Sequence, residues 1–549
     1  MIEHVRSLTL RDRVVLAAFS LVLLLPGTFG VSLVDRDEGW HAQVCREMLD
    51  SGDWLVPTYL GAPWLAKPPL LYWGVIASYS LFGVTAAAAR LVPVLAMTGV
   101  VQLVATLAAT MFNRRVALTA AIGFLTAGLP LVVGKMLLTD ALMWLCCMGA
   151  IVLLWRIATD HVSTGRCIAF WLCVGLGILA NGPAVLVFVG SFGLAMRFGP
   201  AGWRWMYNGR LWATAIVAPL VAAPWYAYTA MHEGGTLSQQ FLWYEIFSRI
   251  AGTPHGHSGP PGYYLLLSLA GWLPWTALVP GAVILAWQAR STSPEARVLL
   301  IWCFLPWIIL ELIHSKLPHY IVPCYIPLAL MLGRMWDSTL DRRADTTKPP
   351  RAERTVFGIW VFTPVAIGVG AIAAAIYWRE MTWALSVAVA GGVLIVGFLI
   401  VGYLTRRNDP EAVWAGAVGC IGLFHIVVGL WVLPEFEPYR LSRIVAERAN
   451  AVAPAGARVA VCGYEEPSVF FYLHEPARVI ATDELAQRFH KADATAVLIA
   501  REQDWRDAGI APGGAGAEWF SVSGFNYVKG LRVTLWIARR EPQADAADG

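Results

Sequence analysis

Apolar runs of about 18 to 22 residues alternate with short polar stretches from residue 14 to residue 433, a length that suits a hydrocarbon layer of ~30 Å. Thirteen runs predict spans: 14–34, 86–110, 116–133, 137–157, 166–181, 183–198, 210–230, 262–288, 297–314, 319–337, 355–377, 381–404 and 412–433. Lipid offers backbone groups no hydrogen-bond partner, so such spans are helices. The "NGP" at 181–183 reads either as a turn between two short spans or as a kink in one. Residues 69–84, "PLLYWGVIASYSLFGV", are apolar but short and predict a helix lying in the interface.

Beyond Pro434 the pattern changes to polar sequence with short apolar runs. "ARVAVCG", "SVFFYL", "TAVLIA" and "LRVTLWIARR" predict strands, "DELAQRFH" a helix, and "PGGAG" at 512–516 a turn. The last residues, "EPQADAADG", read as a disordered tail. The expected architecture is a polytopic α-helical membrane domain at 1–433 followed by a small α/β domain at 434–549. The membrane domain carries a first loop at 35–85 and a mobile loop at 231–261.

Composition agrees. Of 549 residues, 57% are hydrophobic and 14% charged, against roughly 25% charged in a soluble domain; the mean hydropathy is +0.58. The 26 Trp residues fit interfacial belts. Most of the nine cysteines sit in apolar runs, and neither CxxC nor a zinc-ligand spacing occurs, so they read as packing residues. One alternate set of connections holds 20 Lys and Arg and the other holds 7. The richer set is expected in the cytoplasm. The loop at 35–85 then faces outward, and an odd number of spans carries the C-terminal domain outward too. No Walker or GxGxxG pattern occurs, which leaves a cytoplasmic nucleotide donor unsupported and no nucleic-acid partner expected.

Ionisable residues gather on that outer side. Asp37 and Glu38 open the predicted helix "DEGWHAQVCREML", with Asp35 ahead of them as a solvated loop acid. Lys67 stands in "LAKPPLLYW", Arg90 at the outer end of the second span, and Lys135 and Asp140 flank "GKMLLTD". Arg249, His255 and His257 belong to "YEIFSRIAGTPHGHSGP"; His314, Lys316, His319 and Tyr320 to "HSKLPHY". The turn Tyr464-Glu465-Glu466 reads as solvated. Lysine and arginine at headgroup level can hold a phosphate by charge-assisted hydrogen bonds. They can also merely snorkel. A carboxylate nearby can orient or deprotonate an acceptor, or hold a divalent ion. An ionised carboxylate at depth costs at least ~2.5 kcal/mol, which marks Asp140 as more than packing. Together these residues predict an outer-face enzyme that acts on a phosphate-bearing lipid and needs no water-soluble cofactor. A divalent metal has only weak candidate ligands in Asp37, Asp140, His255 and His257.

The stretches "DEGWHAQVCREMLDSGDWLVPTYLGAPWLAKPPLLYW" (37–73) and "HSKLPHYIVPCYIPLALM" (314–331) resemble the bacterial dolichyl-phosphate-mannose–protein mannosyltransferase-like family. More closely they resemble its 4-amino-4-deoxy-L-arabinose lipid A transferases. The resemblance implies a C-type glycosyltransferase fold, an undecaprenyl-phosphate-linked aminoarabinose donor and a lipid A phosphate acceptor. It implies a monomeric, multi-pass enzyme of the bacterial inner membrane whose active site and C-terminal domain face the periplasm. Its product would lower envelope charge and give resistance to cationic peptides such as polymyxin. Asp37, with Glu38 and Asp140, takes the catalytic carboxylate positions. Lys67 takes the donor phosphate, with Arg249, Lys316 and Tyr320 as companions and Arg90 close in sequence to the outer face. Relatives of that family often read Asp-Glu-x-Arg-Tyr-Ala-Glu where this chain reads Asp37-Glu38-Gly39-Trp40-His41-Ala42-Gln43. A protein O-mannosyltransferase-like activity is the competing expectation. A lipid or sugar transporter fits less well, because transporters carry their ionisable residues at the midplane between repeats.

Overall fold

The computed structural model describes residues 8–160, 162–232, 258–345, 351–407, 409–491 and 496–540. The chain divides into two compact units, one of Met1–Phe29, Leu65–Gly74 and Arg90–Val432, the other of Gly30–Trp64, Val75–Ala89 and Leu433–Gly549. The sequence groups the whole first loop, 35–85, with the membrane domain; by packing, 35–64 and 75–85 group with the C-terminal segment and 65–74 with the helices.

The first unit is helical. Among the described residues seven helices are long and apolar enough to cross a membrane, or up to nine if each bent pair counts as one span. All thirteen predicted runs contain helix, but not all are straight rods. Arg114–Leu125 and Gly128–Lys135 meet at 66°, and Tyr263–Gly271 and Trp275–Ala289 at 116°. The first helix, Leu10–Leu24, stops well short of residue 34 because Pro26 and Gly27 follow it. At "NGP" the chain takes the turn: helix Thr164–Asn181 ends and Ala184–Ala195 begins. Gly182 sits there at φ +70°, a conformation open to glycine at little cost. Short proline-broken segments are tolerated at membrane depth where neighbouring helices take up the freed backbone groups.

The tryptophans do not all serve as interface anchors. Trp144, Trp272, Trp275, Trp302, Trp336 and Trp360 are fully buried. Trp275 stacks on Trp414 at 4.6 Å and on Trp360 at 5.6 Å, and its indole N–H donates to the Thr126 hydroxyl at 3.0 Å. Large flat rings fill the space between helices while that donor keeps a partner.

The second unit is α/β. Its five-stranded sheet runs in the order Ala477–Val479, Arg458–Cys462, Ala496–Arg501, Leu531–Arg540, Ala517–Asn526. The first three strands are parallel, and the last two join antiparallel. Alternation assigns the faces. Val459, Val461, Val497, Ile499, Leu535 and Ile537 pack on one side with helix Leu441–Val452. Ala460, Cys462, Leu498 and Ala500 pack on the other with Leu485, Phe489 and Trp505. Both faces are covered, which is why these strands read as continuous apolar runs. The run "SVFFYL" is the exception: it lies in helix Pro467–Tyr472. Pro467 at the first helical position starts a helix well, and a short apolar run has no period of its own to decide between helix and strand.

Candidate active site

Lys67 is placed by its neighbours in sequence. Leu65 is buried in a small cluster with Leu179, Ala222 and Trp225, and Trp73 packs against it. Pro68 and Pro69 restrict the backbone between that anchor and helix Leu70–Phe82, and the Trp73 amide donates to the Pro69 carbonyl at 2.9 Å. The Lys67 ammonium therefore has a defined reach. It donates to Oδ1 of Asn181 at 2.6 Å.

Lys67 lines a cavity of about 430 Å³ in the first unit. Asp140, Asn181, Ser315 and Tyr320 contribute its other polar side chains. The rest of the wall is apolar and includes Met143, Leu186, Phe188, Leu310 and Ile313. A few polar groups on an apolar wall is the ordinary make-up of a ligand pocket. Here one charged lysine stands among surfaces that suit hydrocarbon.

Asp140 is 3% exposed. It is the first residue of helix Asp140–Thr159, where the helix dipole favours a negative charge, and Nε2 of His319 stands 3.6 Å from its carboxylate. His319 in turn packs edge-on against Tyr320, with ring centroids 4.9 Å apart. Three residues expected at the site, Lys67, Asp140 and Tyr320, thus share one cavity. Asn181 and Ser315 were missed as site residues, although "NGP" had marked a break at that place.

Lys316 is elsewhere. It is buried and donates to Glu311 at 2.9 Å and to the Pro260 carbonyl at 3.2 Å. The second Glu311 oxygen accepts the Tyr264 amide at 3.0 Å. Lys316 is not among the residues that line the cavity, and its charge is matched by a carboxylate. Arg90 is buried in helix Ala86–Met111 and does not line the cavity either. Lys135 is turned to the end of the first helix, donating to the Pro26 carbonyl at 2.8 Å. Arg249, His255 and His257, with most of the loop 231–261, lie outside the described residues. Among the described residues no three His, Cys, Asp or Glu side chains converge as metal ligands.

Asp37 and Glu38 belong to the second unit. Asp37 is exposed at the start of helix Asp37–Ser51. Glu38 is buried and accepts the Val34 amide at 2.8 Å. Asp35 is not the solvated acid its position suggests. Its carboxylate accepts the Ser468 amide at 2.8 Å, the Ser468 hydroxyl at 2.7 Å and the Ser442 hydroxyl at 2.8 Å. Burial raises its pKa above the ordinary aspartate value against the pull of those hydrogen bonds. The "YEE" turn is not solvated throughout: Tyr464 and Glu466 are each 3% exposed. Glu466 pairs with Arg36 at 3.6 Å and accepts from Asn526 at 2.9 Å. Only Glu465 faces solvent. Gly39 lies against Ser468 so closely that an added Cβ would stand 2.6 Å from its backbone nitrogen. The acidic helix is therefore strapped to the Ser468 segment of its own unit.

Residues 66–228 match the dolichyl-phosphate-mannose-protein mannosyltransferase family. The fold is similar to that of ArnT from Cupriavidus metallidurans bound to undecaprenyl phosphate, with a TM-score of 0.77 at 20% identity over 95% of this chain and 97% of that one. The apo state of the same protein matches with a TM-score of 0.75. In sequence the chain is 31% identical over 430 residues to the undecaprenyl phosphate-alpha-4-amino-4-deoxy-L-arabinose arabinosyl transferase of Enterobacter sp. (strain 638), covering 76% of this chain and 75% of that one. It is 30% identical over 434 residues to the enzyme of the same name from Serratia proteamaculans, with the same coverage. The chain belongs to the undecaprenyl phosphate-alpha-4-amino-4-deoxy-L-arabinose arabinosyl transferase family and is a multi-span membrane glycosyltransferase.

Proposed function

We propose that this enzyme moves 4-amino-4-deoxy-L-arabinose from undecaprenyl phosphate to a phosphate of lipid A, at the periplasmic face of the bacterial inner membrane. The observation that carries the reading is the cavity in which Lys67 meets an otherwise apolar wall. Such a wall accepts part of an isoprenoid chain, and the ammonium accepts the phosphate joined to it. The names of the relatives support the sugar and the donor lipid. They favour aminoarabinose transfer over protein O-mannosylation, although residues 66–228 carry the mannosyltransferase family match.

The chemistry follows from the acceptor. A lipid A phosphate is already ionised, so no strong base is required. Its oxygen attacks the anomeric carbon of the sugar, the bond from that carbon to the undecaprenyl phosphate oxygen breaks, and the leaving phosphate takes the electron pair. Lys67 stabilises the charge that builds on the leaving group. Asp140 lines the same cavity and is backed by the His319 imidazole at 3.6 Å, an arrangement suited to orienting the sugar. Asp37 orients the attacking phosphate. The thirteen-span topology with an outward C-terminal domain belongs to the same proposal. Donor binding tests it: in detergent, K67A is expected to lose undecaprenyl phosphate affinity at least about tenfold, the worth of a hydrogen bond to a charged group. K316M is expected to keep it. The reverse pattern would remove the cavity from the reading.

A further inference from the structure

The strands Ala517–Asn526 and Leu531–Arg540 pair antiparallel with Asn526 opposite Leu531, which leaves residues 527–530 as the tip of a hairpin. The tip is firmly built. The Gly530 amide donates to the Asn526 carbonyl at 2.8 Å, and Oδ1 of Asn526 accepts the Val528 and Lys529 amides at 3.0 Å each. Nδ2 of Asn526 donates to the buried Glu466 at 2.9 Å. A backbone held this way presents its side chains at fixed places. Those side chains are unusual for a turn in water, where small polar residues prevail. Phe525, Tyr527 and Leu531 are 49%, 41% and 47% exposed, and Lys529 and Arg532 beside them are exposed too. An apolar patch with a charged rim marks an interaction surface.

The place of the tip in its own unit says what meets it. The chain enters this unit at Gly30 and again at Leu433. The Asp35 amide donates to the Tyr527 hydroxyl, and the Arg440 guanidinium stands 5.8 Å from the centre of the Tyr527 ring. Asp35 comes five residues after the first entry and Arg440 seven after the second. Even fully extended, that much chain reaches only about 25 Å. The second entry follows the apolar helix Pro410–Val427, and exposed Trp431 and Tyr439 stand on either side of it in sequence, as aromatic residues do at headgroup level.

We propose that residues 525–532 form a membrane anchor: Phe525 and Leu531 enter the headgroup layer of the bilayer, and Lys529 and Arg532 bind the phosphates of anionic phospholipids. The tyrosine ring buries its body there and keeps its hydroxyl polar. The two cations add an attraction to an anionic surface that salt screens. The anchor requires the membrane spans and not a particular sugar or acceptor, so it stands or falls apart from the reading of the cavity.

Depth-dependent quenching tests it. The full-length protein carries one NBD fluorophore, through L531C at the tip or through A515C in the turn at the far end of the hairpin. It sits in nanodiscs that contain a lipid with a nitroxide near the headgroup, in phosphatidylcholine alone or mixed with phosphatidylglycerol. Eight of the nine native cysteines are buried and Cys173 is half-buried, and the parent chain treated with the same reagent sets the background. Quenching at 531 is expected to exceed that at 515 several-fold, to grow with phosphatidylglycerol, and to lose that growth in K529Q/R532Q or in high salt. Equal quenching at 531 and 515 would place the tip in water and overturn the anchor. Blue-shifted emission at 531 without quenching would show protein covering the tip, a second copy included, and overturn it as well. Quenching at 531 that ignores phosphatidylglycerol, salt and K529Q/R532Q would overturn the binding of anionic headgroups.

Discussion

Lys67 and Lys316 look alike in sequence and differ in what they touch. Lys316 with Glu311 is a buried ion pair whose members also hold the Pro260 carbonyl and the Tyr264 amide. Removing one member strands the other charge, which costs about 3 kcal/mol. K316M is therefore expected to lower the melting temperature clearly, and the double variant E311Q/K316M to restore much of it. Equal melting of the single and double variants would show that the pair does not hold the fold. Asp35 makes a second expectation at this scale. Its pKa is raised in the native protein, so its contribution to stability is full below the unfolded value of about 4 and is lost as pH rises through the higher native value. Relative to D35N, the wild-type melting temperature should fall as pH rises across that window. A constant difference would contradict the raised pKa.

At the scale of elements, Gly39 sits where a side chain does not fit. An alanine there would place its Cβ 2.6 Å from the Ser468 nitrogen, and a backbone atom cannot swing aside as a side chain can. G39A is expected to cost on the order of 1–3 kcal/mol, read by thermal melting, and an unchanged midpoint would mean that helix Asp37–Ser51 does not need that close approach. Much at this scale was legible in the sequence. The strands "ARVAVCG", "TAVLIA" and "LRVTLWIARR", the helix "DELAQRFH" and the turn at 512–516 all stand where alternation and turn residues put them. Ala517–Asn526 was missed because only two of its ten residues are buried and no apolar run marks it. "SVFFYL" went the other way because Pro467 decides more than the apolar run does. The bends within 116–133 and 262–288 leave the hydropathy pattern nearly continuous, so a window sees one span where the chain makes two helices.

Site residues were legible in part for the same reason. Asp140 stood out as a costly carboxylate at depth, Lys67 and Tyr320 as polar residues of the stretches that carry the family resemblance, and all three line the cavity. Asn181 did not stand out, because a neutral amide beside a glycine and a proline reads as a turn. Nor did the bonds of Asp35, whose partner Ser468 lies 433 residues away. Long-range partners are invisible to local pattern, and they decide whether an acid is solvated, structural or available for chemistry.

For the whole molecule, family membership and the cavity converge on transfer of a sugar from a polyprenyl phosphate. Asp37 belongs to that chemistry as a proposal from resemblance, and D37N separates its role from binding. It is expected to lower transfer by roughly 10²–10⁴ while undecaprenyl phosphate affinity stays near wild type. Transfer by D37N at the wild-type rate would remove Asp37 from any essential role. The most direct measurement uses purified protein, lipid A and synthetic undecaprenyl phosphate-aminoarabinose, with the lipid A then weighed by mass spectrometry. Wild type is expected to add the mass of the aminopentose to lipid A, and K67A to add none. Unmodified lipid A from a wild-type protein that still binds undecaprenyl phosphate would contradict the acceptor and the sugar together.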